Sequence, residues 1–115
     1  MKQPGQIAIL RFPQTDLAPG KSRPVLLLAR VPGKLDDWLA CMVSTQTHQA
    51  VAGFDEIVAA SDEDFASSGL KVASVIRVGR LAVVQPNLLI GAVGRIESGR
   101  LGRVRNRLTE WISNG

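Results

Sequence analysis

The sequence predicts a mainly β domain completed by one C-terminal helix, and three observations carry that prediction. Short apolar and β-branched segments recur between Pro-Gly and polar turn signals from Gln6 to Ile96. Only the last stretch has a long helical period, with Leu101, Val104, Leu108, Trp111 and Ile112 three or four residues apart. The length, 115 residues, is that of one domain with a real core, so residues 1–115 are read as a single unit.

Gln6 to Phe12 reads as a first strand, entered after Pro4-Gly5 and ended by Pro13. Gln14 to Ser22 is polar, with a Pro19-Gly20 turn signal and a basic tip at Lys21, and forms a loop. Arg23 to Val31 is apolar except at its ends, the pattern of a strand buried on both faces, with Pro24 at its entrance. Pro32-Gly33 turns the chain into Trp38 to Ser44, a third strand antiparallel to the second, and these two should form the core pair. Thr45 to Gly53 is a polar loop, Phe54 to Ala59 a short strand, and Ser61 to Ser68 a helical turn capped by Ser61. Ser74 to Val78 and Arg80 to Val84 read as strands about a bulge or corner at Gly79, and Ile90 to Ile96 as the last strand. On the final helix the apolar face packs on the sheet, which turns Arg100, Arg103, Arg105 and Arg107 mostly away from it. Gly115 is the terminator of that helix.

Composition narrows the function classes. Hydrophobic residues at 45% and charged residues at 21% describe an ordinary globular chain, not a disordered one. No apolar run approaches the roughly 20 residues of a membrane span. The start of the chain lacks the apolar segment of a secretory signal, so cytoplasmic residence is expected. Cys41 is the lone cysteine, which excludes an internal disulfide and a cysteine-based metal site and suggests a buried, inert thiol. The net charge of +4 favours polyanionic partners. Asp55, Glu56, Asp62, Glu63 and Asp64 lie close together in sequence, while Arg95, Arg100, Arg103, Arg105 and Arg107 gather near the C-terminus. That polarity suggests a surface attracting phosphate at one place and repelling it at another.

The ordered segments resemble one family. Gly5-Gln6-Ile7-Ala8-Ile9-Leu10 is similar to its opening strand, and Lys21-Ser22-Arg23-Pro24-Val25-Leu26-Leu27-Leu28 to its Arg-Pro entry into aliphatic residues, the most specific signal here. Met42-Val43-Ser44-Thr45-Gln46, Gly69-Leu70-Lys71, Ser74 through Leu81 and Gly94-Arg95-Ile96 continue the match in order. Together they resemble the PemK/MazF toxins of bacterial toxin–antitoxin pairs. The resemblance implies a curled antiparallel sheet related to SH3-like barrels, a homodimer, and an endoribonuclease that is selective for sequences in single-stranded RNA, mRNA included. It also implies a cognate antitoxin laying an acidic, partly disordered tail over the toxin's groove, operator DNA bound together with that antitoxin, and no cofactor.

Such enzymes are expected to cut without metal, and one histidine, one cysteine and no ligand-spaced His/carboxylate cluster agree with that. The ribose 2′-hydroxyl then attacks its own phosphate, leaving a 2′,3′-cyclic phosphate and a 5′-hydroxyl. The protein must orient that hydroxyl, stabilise the phosphorane and assist proton transfer. The resemblance points to Arg23 and Ser44 as the catalytic pair. A guanidinium matches phosphate oxygens, and with a pKa above about 12 it suits charge stabilisation better than acid catalysis. Ser44 stands where the family usually has Thr and keeps the hydroxyl donor.

Arg77, Thr45, Gln46, Lys21, His48 and Asp16 are the further candidates for holding substrate. Some relatives carry Arg-x-Asp in the later strand; here Arg77 is kept, but the carboxylate position is Gly79. Arg77 either holds phosphate or forms a structural ion pair to the acidic segment. His48 or Asp16 would be a replacement base. The rival reading is a non-catalytic nucleic-acid-binding module on the same small barrel, since fold does not fix function; a purely protein-binding barrel has less motif support.

Overall fold

Six strands and one long helix make up the architecture in a computed structural model, which describes residues 2–11 and 22–115. The strands are β1 (Gln6–Arg11), β2 (Ser22–Arg30), β3 (Trp38–Ser44), β4 (Glu56–Val58), β5 (Ser74–Val84) and β6 (Leu89–Arg95). All pair antiparallel in one sheet, in the order β4-β5-β3-β2-β1-β6. The fold class is thus mainly β with a C-terminal helix, α2 (Ser98–Asn114). The sheet stays open, because its end strands β4 and β6 are not paired with each other.

Alternation along the strands builds two cores. Ile7, Leu26, Leu28, Cys41, Val43, Ile76 and Val78 face one side, where Val104 and Leu108 of α2 cover them. Ala8, Leu10, Val25, Leu27, Trp38, Ala40 and Val84 face the other. A short 3-10 turn, Pro86–Leu88, carries the chain from β5 to β6, and Leu88 and Leu89 pack on this second cluster. The continuous apolar run of β2 is explained by this arrangement: Val25 to Leu28 feed both cores from one central strand.

Two strands expected on either side of Gly79 are one continuous β5 with a bulge. Met42 pairs with Arg77 and the adjacent Cys41 with Leu81, so three residues of β5 stand against none of β3. The helical turn is shorter than expected: α1 is Phe65–Ser68, Asp64 precedes it, and Ser61 makes no cap. Asp62 instead accepts the Ala59 N–H at 2.8 Å and closes a turn. Gly69 ends α1 in the left-handed conformation at φ 75°, and a side chain at Gly94 would collide with the carbonyl oxygen of Ser67. These two glycines let α1 lie against β6.

The C-terminal helix departs from its reading in two ways. Arg100 does not turn away from the packed face; its side chain is only 7% exposed. Ile112, expected on that face, is 69% exposed, and Trp111 is 44% exposed, with its ring edge-on to that of Phe54 at 5.6 Å between centroids. No helix among the described residues is long and apolar enough to cross a membrane.

Candidate functional site

The register of the sheet puts three of the sequence-predicted side chains on one face. β2 and β3 pair as far as Val25 and Met42, and both strands continue beyond that pair. Carried two residues further, the same register sets Arg23 across from Ser44. On the other side of β3, Ser44 pairs with Val75 and Met42 with Arg77. Directly paired residues project to the same face, so Arg23, Ser44 and Arg77 share the face opposite α2. Arg23 is exposed, and among the described residues no carboxylate pairs with it.

Ser44 is the last residue of β3, and its Oγ accepts the Gln46 N–H at 3.0 Å. That contact fixes the oxygen and leaves the hydroxyl's own hydrogen able to donate. The following loop forms a 3-10 turn, Thr47–Gln49, lying against β5. Thr45, Gln46 and His48 are exposed along it. Asp16 and Lys21 lie outside the described residues.

Arg77 is held from two directions. Its Nε lies 3.2 Å from Asp55 Oδ2, and its Nη1 donates to Gln49 Oε1 at 3.1 Å. Asp55 itself is almost sealed, with its side chain 2% exposed. Its Oδ1 accepts the Val78 N–H and its Oδ2 the Val51 N–H, both at 3.0 Å. The Val78 N–H belongs to the bulged stretch of β5, which has no β3 residue opposite it. Sequence reasoning counted Asp55 only as part of an acidic run and did not single out Gln49. The available signal was position: Asp55 immediately precedes β4, whose register with β5 places it across from Arg77. At Gly79, a Cβ would sit 3.3 Å from the Phe54 ring. The aromatic ring therefore crowds the place from which a carboxylate at this position would project.

The expected separation of acidic and basic surfaces is replaced by pairing. Arg100 grips Asp64 with a two-pronged contact, Nε to Oδ2 at 2.8 Å and Nη2 to Oδ1 at 2.9 Å. It also reaches Asp62 at 2.9 Å and Glu56 at 3.2 Å. Arg103 and Arg107 contact Glu56 at 2.8 and 2.7 Å, and Arg105 donates to the Leu28 carbonyl. The Arg100 guanidinium holds Asp64 below the usual carboxylate range, and the Ala59 N–H, then Arg100, does so for Asp62. Arg95 donates to Gln3 at 3.2 Å. The α2 arginines thus neutralise Glu56, Asp62 and Asp64 from the face opposite Arg23. On the α2 side too, burial and then the charge of Asp55 push the Cys41 thiol up to about 12, the condition of an unreactive thiol.

Among the described residues this face offers a set of hydrogen-bond donors: the Arg23 guanidinium, the Ser44 hydroxyl and the Arg77 N–H groups not taken by Asp55 and Gln49. Such a set suits an anion with several oxygens.

Comparison with solved structures gives the same fold. The chain is similar to the Mycobacterium tuberculosis toxin MazF-mt6, with 20% identity over 94% of this chain and 96% of that one and a TM-score of 0.67. It is also similar to a chain of the MazE-MazF (Form-II) structure from Deinococcus radiodurans, with 19% identity over 99% of this chain and 97% of that one and a TM-score of 0.74. At such identities these likenesses speak to fold alone. A sequence search of curated proteins gives no match. A family model described as "PemK-like, MazF-like toxin of type II toxin-antitoxin system" matches residues 3–112. Spanning nearly the whole chain, that match shows that the protein belongs to the PemK-like, MazF-like toxins of type II toxin–antitoxin systems.

Proposed function

We propose that this toxin is a sequence-selective, metal-independent endoribonuclease that cuts single-stranded RNA, mRNA included, to leave a 2′,3′-cyclic phosphate and a 5′-hydroxyl. The observation that carries the reading is the shared face of Arg23, Ser44 and Arg77 on three neighbouring strands. Arg23 stabilises the extra negative charge of the phosphorane, and the Ser44 hydroxyl donates to a phosphate oxygen or orients the attacking 2′-hydroxyl. Arg77 holds the phosphate from the β5 side. Thr45, Gln46 and His48 border the same face and meet the nucleotides flanking the cut. Lys21 and Asp16 precede Arg23 in sequence and complete the proposed set.

A cognate antitoxin, cytoplasmic residence, a homodimer and operator DNA bound together with the antitoxin belong to the same proposal. The structural likeness to a chain of a MazE-MazF structure supports the antitoxin.

The test is incubation of the purified protein with long single-stranded RNA in excess EDTA, with the cut ends mapped. Discrete cuts bearing 5′-hydroxyls, lost in Arg23→Ala, are expected. RNA that stays intact yet shifts on a gel would instead identify a binding module, and intact, unshifted RNA would remove both readings. Growth arrest on expression, relieved by a co-expressed partner, checks the toxin role.

A further inference from the structure

We propose that Asp55 is a positioning residue of this site, its buried carboxylate aiming the Arg77 guanidinium at the substrate phosphate from a place in the chain 22 residues before that arginine. The inference rests on the function proposed above and deepens it. Its starting point is that position 79 offers no side chain and is crowded by Phe54, so Arg77 has to find its carboxylate elsewhere. Asp55 meets it across the β4–β5 register at 3.2 Å.

The chemistry of Asp55 fits aiming and not proton transfer. Both of its oxygens are engaged by main-chain N–H donors, Val78 on one and Val51 on the other, and the side chain is almost wholly sealed from water. A carboxylate fixed from three sides is a rigid acceptor, and rigidity is what a neighbouring guanidinium needs in order to present its remaining donors in one direction. Gln49 supplies the second constraint by accepting from Nη1. With Nε facing Asp55 and one Nη1 hydrogen on Gln49, the Nη2 group and the second Nη1 hydrogen remain for phosphate. The β5 bulge has a role in this: it removes Val78 from its β3 pairing, so its N–H can hold the carboxylate. An amide at position 55 would turn an NH2 group toward donors, on the Val78 side or on the Val51 and Arg77 side.

The experiment is a double-mutant cycle on RNA cleavage by the purified protein, with Asp55→Asn, Arg77→Gln and the pair. If Asp55 acts through Arg77, each single substitution lowers kcat/KM by about 10- to 100-fold, the range expected for losing a hydrogen bond to a charged group. The double substitution then lowers it no further than the worse single one. Multiplying losses would overturn the proposal. An independent reading comes from the wild-type protein by NMR: the Arg77 Nε–H should exchange slowly with solvent and be found near the Asp55 side chain. A rapidly exchanging Nε–H overturns the proposal even if Asp55→Asn fails to fold. If the wild type leaves RNA uncut, the ribonuclease reading fails, while the NMR result together with the same cycle on the Kd for a short single-stranded oligonucleotide still decides whether Asp55 aims Arg77.

Discussion

The two faces of the sheet use arginine in opposite ways. Under α2, Arg100 is buried among Glu56, Asp62 and Asp64, and Arg103 and Arg107 crowd Glu56, so that basic charge meets acidic charge. On the opposite face Arg23 is exposed with no carboxylate partner among the described residues, on the same side of the sheet as the Ser44 hydroxyl, and Arg77 is braced by Asp55 and Gln49. The difference teaches that a net charge of +4 says little about where phosphate would bind. An arginine satisfied by two or three carboxylates is committed to the fold, whereas one lacking a counter-charge is available to a ligand.

Substitutions can break this contrast at either end. The largest expected effect is Arg100→Ala, which strands Asp64 without its main partner in a buried setting. A loss of about 3–5 kcal/mol is expected, measured by urea unfolding. The same cluster sets the acid limit. Asp62 and Asp64 titrate lower in the folded protein than in the unfolded chain, where about 3.9 is usual, so the unfolded state takes up protons first. Their contribution is therefore complete above that value and is lost as pH falls through the lower folded values; Asp64→Asn should flatten this acid limb of a stability-versus-pH curve.

Next in size is Arg23→Ala, expected to lower RNA cleavage by about 10²–10³-fold, the range for losing a donor to a developing anion. Its midpoint of unfolding should stay within error of wild type, and a large drop in stability would mean that Arg23 serves the fold after all. Ser44→Ala should reduce cleavage by about 10- to 100-fold, as for a hydrogen bond to a charged group, and Ser44→Thr should restore most of it. The smallest effect is Ile112→Ser, beyond the packed part of α2, with a stability change within about 0.5 kcal/mol by thermal unfolding. Leu108→Ala on the same helix should cost about 2–5 kcal/mol.

The sequence alone determined most of the strands, the C-terminal helix and the family, because alternation, helical period, turn residues and the Arg23-Pro24 entry are all local. Val25 to Leu28 announced a doubly buried strand for that reason. Tertiary structure decided what each charge is for. Arg100 meets Asp64 across 36 positions of sequence, and the helical period around it carries no sign of that partner. Likewise Asp55 reaches Arg77 only through the β4–β5 register and a bulge that releases one N–H. Electrostatic roles depend on which groups are brought within a few ångströms and removed from water together, and that is fixed by strand order and register, not by residue type.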